Sequence, residues 1–167
     1  MRNVFAAALL LLAGSIVSVA GDSTANVSLD TSKVTPRAVE PLTERSILRD
    51  YKFAWTNLEL ALESNSIAPL NGLFVGNANS VLVDQVTNQN RSGVSSRYVN
   101  QNHKLEAVFY APEGDVMELH DTAAYDLQVL DGGKIIHQEH VVAHYVVLMT
   151  PGADRWVIRQ LQAVQQF

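Results

Sequence analysis

An α+β domain, with N-terminal helices packed on a curved antiparallel sheet of about four long strands, is predicted by three observations. A 3.6-residue apolar period runs from Leu42 to about Asn90, a period of two takes over after Gly93, and Pro/Gly turns punctuate the second half. The 167 residues are enough for one domain with its own core and short for two.

The helices come first. Leu48, Tyr51, Trp55, Leu58 and Leu62 recur every three or four residues, while Arg45, Arg49, Asp50, Glu59 and Glu63 fill other faces, which predicts an amphipathic helix over Leu42–Ser64. Pro41 bars an earlier start and Asn65-Ser66 breaks the run. A short helix follows at Ile67–Leu70, then a third with Ala78, Val81, Leu82 and Val86 on one buried face, ending near Gly93.

The strands follow. From His103 to Ala111, Leu105, Ala107 and Phe109 alternate with Lys104, Glu106 and Val108, before the turn Pro112–Asp115. Val116–Leu130 sets Met117, Leu119, Ala123, Tyr125, Leu127 and Val129 on one side, and Asp131-Gly132-Gly133 is a strong hairpin turn. Lys134–Thr150 is the third strand, closed by Pro151-Gly152, and Trp156–Val164 the fourth.

Ahead of the domain, residues 1–20 join Arg2 to an apolar run ending in the small-x-small triplet Ser18-Val19-Ala20. They read as a signal peptide cleaved after Ala20, which directs the chain to a periplasmic or extracellular location. The alternative is an uncleaved anchor, for Val4–Ala20 is about the shortest run that spans a bilayer; membrane contact is expected only through this segment. Residues 21–41, rich in Ser, Thr, Asp and Pro and without an apolar period, read as a disordered linker. The expected domains are thus 1–20, 21–41 and 42–167.

Charge narrows function. Seventeen acidic residues against twelve basic, with no Lys/Arg stripe, exclude a nucleic-acid footprint. The absence of Cys excludes thiol chemistry and disulfides, and no glycine-rich phosphate loop, G-x-S-x-G or H-E-x-x-H motif occurs. No cofactor is expected.

Three of the five histidines, His137, His140 and His144, lie in IIHQEHVVAHYVVLM. On a helix they would share a face and invite a metal. The β-branched residues and the flanking Gly-Gly turn predict a strand instead, which sends His137 opposite to the other two and separates His140 from His144 by roughly 13 Å, too far for one ion. No metal site is expected. The same strand is apolar on both sides, Val141, Ala143, Tyr145, Val147 and Met149 on one and Val142, Val146 and Leu148 on the other, so its outer face is expected to meet a second copy or a partner.

Asp121 interrupts an otherwise apolar face. A buried carboxyl there is either a general base or a structural group at the rim, paired with Arg159 or a histidine. Tyr51, Trp55, Asp121, Tyr125 and Tyr145 are the candidate pocket residues. Trp55 and Trp156 also fit their elements' apolar periods and so read as core.

The strings DYKFAWTNL at Asp50–Leu58, LNGLFVGNA at Leu70–Ala78 and RWVIR at Arg155–Arg159, with the element order, resemble the nuclear-transport-factor-2-like superfamily over roughly residues 42–165. This is the cystatin-like cone that also houses SnoaL-like and ketosteroid-isomerase-like proteins. In element order the chain is most similar to domains of the mitochondrial Tim44 type and of plastid and cyanobacterial division proteins. The resemblance implies a bent sheet wrapping a helix around a cavity, and a dimer through the outer sheet face. It carries no single activity, because the superfamily holds isomerases, dehydratases, hydrolases and binding modules. The expectation is an exported non-catalytic module for a protein partner or a small apolar ligand. The alternative is a cofactor-independent enzyme using Asp121 with His140, His144 or a tyrosine.

Overall fold

The computed structural model describes residues 25–167, so the expected signal peptide lies outside the described residues. Two helices pack on a curved mixed sheet of six strands, as the α+β reading requires. No helix among the described residues is long and apolar enough to cross a membrane.

Helix α1 spans Pro41–Ser64 and begins with proline at its first turn, where the missing N–H costs nothing. It ends at Asn65, whose left-handed φ of 52° and backbone N–H to the Ala61 carbonyl close the last turn. Its buried stripe is Ile47, Tyr51, Ala54, Trp55, Leu58, Ala61 and Leu62. Leu48 is only half-buried, while Asp50 and Glu59, expected on outer faces, are both 4% exposed. Asp50 is buried because its carboxylate accepts the Trp156 backbone N–H at 2.8 Å as well as two Arg49 bonds, tying α1 to the last strand.

The expected second helix is a single 3-10 turn, Ala68–Leu70. Helix α2, Gly76–Arg91, buries Ala78, Leu82 and Val86, whereas Val81 remains 49% exposed.

The long strands are β3 (Val94–Tyr110), β4 (Met117–Asp131), β5 (Lys134–Pro151) and β6 (Trp156–Val164), a sequential antiparallel meander. Strand β3 begins nine residues before the expected His103, because Val94–Val99 also pair with β4. Two register shifts explain why simple alternation failed there. One, between Val99 and Asn102, moves the buried side from Tyr98 to Gln101, His103, Leu105 and Ala107. The other, between Ala107 and Phe109, leaves Phe109 39% exposed and buries Tyr110 in its place.

The segment expected as a disordered linker is corrected in part. Asn26–Asp30 forms β1 and Thr35–Pro36 forms β2, both pairing parallel with β3. The sequence there is polar because alternate residues face water, while Val27 and Leu29 pack against the core. A short edge strand needs only two apolar residues to hold its place.

Candidate functional site

The strand register decides which side chains meet. Asp121 of β4 stands opposite Tyr145 of β5 and Leu105 of β3, so its carboxyl projects from the concave face into the core. It is 0% exposed. Its Oδ2 accepts the Tyr51 hydroxyl from α1 at 2.7 Å and lies 2.7 Å from His103 Nδ1, the tautomer with hydrogen on that nitrogen giving the carboxyl a second donor. Asp121 Oδ1 and His103 Nε2 have no hydrogen-bond partner. Tyr51 has its ionisation pushed well above the usual phenol range, first by burial and then by the adjacent Asp121 carboxylate.

His103 is the residue that sequence reasoning missed. It is 0% exposed and shares the parity of Leu105 and Ala107, which was the available signal. The expected partners of Asp121 are elsewhere. From His137 onward the inward positions of β5 are odd-numbered, so His140 and His144 project to the other side. His140 sits in solvent with Nδ1 2.8 Å from Asp126 Oδ1, and His144 contacts Thr122 Oγ1 at 3.3 Å. Neither can serve Asp121.

Trp55 lies between the Asp121 cluster and the nearest cavity. Its ring centroid is 4.3 Å from that of His103 and 5.6 Å from that of Tyr145. Its Nε1 is buried without an acceptor. On its other side is a cavity of about 260 Å³ between α2 and β6, lined chiefly by Trp55, Leu58, Leu82, Tyr98, Tyr145 and Leu161. Asp121, His103 and Tyr51 are not among the lining residues. Polar groups gather at one wall. Gln85 Nε2 donates to the Tyr98 hydroxyl at 3.2 Å, Tyr98 stacks on Tyr125 with centroids 4.4 Å apart, and the Tyr125 and Tyr145 hydroxyls lie 3.4 Å apart. Burial raises the ionisation of all three phenols, that of Tyr98 to about 12, so they remain neutral donors and acceptors at physiological pH.

Of the expected pocket residues, the structure therefore brings Trp55 and Tyr145 to the cavity wall, sets Tyr125 behind it, and seals Tyr51 and Asp121 into the core.

The fold has a solved counterpart. The chain is similar to the intermembrane-space region of the chloroplast protein ARC6, at TM-score 0.60 and 13% identity, over 77% of this chain and 98% of that one. No protein-family model matches the chain. No curated protein matches it. At that identity the ARC6 likeness establishes a shared fold, consistent with the resemblance to plastid division-protein domains, and transfers no residue role. What the site can do rests on its own geometry.

Glu59 of α1 is buried against the first bulge of β3 and accepts a bond from Gln101 Nε2 at 2.7 Å. Burial, and then repulsion from Glu63, raises its ionisation to about 7, although Gln101 and Arg97 oppose the shift.

Proposed function

We propose that the domain is a non-catalytic binding module of the nuclear-transport-factor-2-like kind, and that its ligand is a small apolar molecule carrying one polar group. The observation that carries this reading is the cavity walled by Trp55, Leu58, Leu82 and Tyr145, with phenol hydroxyls confined to one side. Apolar walls with a few placed polar groups are the usual make-up of a small-molecule site, and about 260 Å³ lies just below the common size range. The occupant is therefore of one- or two-ring size. Export, inferred from residues 1–20, would place this binding outside the cytoplasm.

The test uses 2-naphthol as the probe, titrated into isotope-labelled protein and followed by NMR. Shifts confined to the lining residues, saturable, and abolished by Ala163→Trp, which fills the cavity from an exposed wall position, are the expected result. Absence of saturable shifts at millimolar probe would reject the reading.

A second reading is favoured by one observation, the unpartnered Asp121 Oδ1 and His103 Nε2 beside the Tyr51 hydroxyl, which together form a proton-transfer set. Trp55 stands between that set and the cavity, so catalysis would require its ring to swing aside. A Trp55→Ala variant that binds 2-tetralone without accelerating exchange of its α-protons would remove this alternative.

A further inference from the structure

Strand β5 outruns its neighbour. On one side it pairs with β4 from Lys134 to Met149, but on the other β6 reaches only from Pro151 back to His144. On that second side residues 134–143 have no strand beside them among the described residues, and 134–140 are exposed without exception. This free edge is roughly 30 Å long and has no Pro or Gly to interrupt it. Ile135, Ile136 and Val142 on it are 44%, 57% and 58% exposed. Natural edges are normally short, bulged or charged; this one has one bulge, at Ile136 near its start, and a single Lys, at its very end, so that His137–Ala143 runs on without a break.

We propose that the β5 edge is a docking surface for a second copy of the chain, which pairs antiparallel about a two-fold axis at Gln138. Charge and side-chain complementarity select this occupant and this register. A two-fold axis perpendicular to the sheet keeps inner side chains opposite inner ones, so only like-parity registers are allowed. With Gln138 on the axis, His137 of each copy faces Glu139 of the other, and the bulge at Ile136 ends the regular pairing just beyond. Within one copy His137 Nε2 already lies 3.6 Å from Glu139 Oε1, so the dimer would alternate imidazole and carboxylate across four side chains.

The adjacent registers fail. An axis at His137 sets imidazole on imidazole and brings the bulge at Ile136 against the axis. An axis at Glu139 sets carboxylate on carboxylate. Pairing at Gln138 also joins the two sheets into one and gives the free N–H and C=O groups of the edge their partners. It is an edge contact rather than the packing of outer faces that the family resemblance implies, and it does not depend on the cavity being a ligand site.

Sedimentation velocity on the full chain, over a concentration series at low salt, tests the proposal. A monomer–dimer equilibrium is expected, with Glu139→Lys weakening it about tenfold or more and His137→Glu combined with Glu139→Lys restoring it. Both positions are more than half exposed on the edge, so neither variant threatens folding. Only a contact that sets residue 137 opposite residue 139 is restored by the swap. A single monomeric species at the highest concentration would overturn the proposal. So would a dimer that ignores Glu139→Lys and dissociates with Val146→Lys on the outer face.

Discussion

At the scale of single residues, Asp121 of β4 ties its strand to α1 and β3. Its carboxyl holds two buried donors from different elements, the Tyr51 hydroxyl and the His103 imidazole. Removing one partner of a buried polar set costs more than the bond itself, because the groups left behind stay desolvated. Asp121→Ala is therefore expected to destabilise the domain by about 3–5 kcal/mol and Tyr51→Phe by about 1.5–3 kcal/mol, read as shifts in the urea midpoint. A loss below about 1 kcal/mol for Asp121→Ala would mean that the cluster contributes nothing net to stability. The parity of Asp121 was legible in the sequence. Its partner was not, because three of the five histidines share one apolar strand, whereas His103 opens a segment whose register is reset by a bulge.

At the scale of elements, β3 is where pattern and structure part. A bulge inverts the inside–outside alternation, so a period of two persists locally while its phase jumps. Asn100, with φ of 58°, sits in the first bulge, where the left-handed region admits asparagine more readily than most residues. The free side of β3 also explains β1. Parallel pairing from Asn26↔Asn102 to Asp30↔Glu106 covers an edge that would otherwise be bare. Residues 26–30 should accordingly show backbone amides protected from hydrogen exchange by at least about tenfold over an unstructured peptide. Exchange at the free-peptide rate would return this segment to the disordered linker of the sequence reading. Single-sequence patterns failed here because five residues with two apolar side chains carry too little periodicity, and their partner lies more than seventy residues away.

At the scale of the whole molecule, pH sets the balance. Glu59 has a folded-state ionisation raised to about 7 from an ordinary 4.5, so its proton is bound more tightly in the folded chain. The stability this gives is fully present below about pH 4.5 and is lost as pH rises through about 7. The buried phenols follow the same sign at higher pH, their contribution fading from about pH 10 upward. Urea titrations from pH 5 to pH 8 should show a loss on the order of 2 kcal/mol that Glu59→Gln abolishes. An unchanged pH profile in that variant would place the titrating group elsewhere. Length, composition and periodicity by themselves determined the class of fold, the two long helices, the four-strand meander with its turns and the inward parity of Asp121, since each is written in local side-chain spacing. Only the tertiary structure decided that His103 rather than His140 or His144 meets Asp121, that Trp55 divides this cluster from the cavity, and that β5 is left with a free edge. Those facts depend on strand register and strand length relative to a neighbour. Register is fixed by bulges and pairings between distant segments, and no window of local sequence contains both partners.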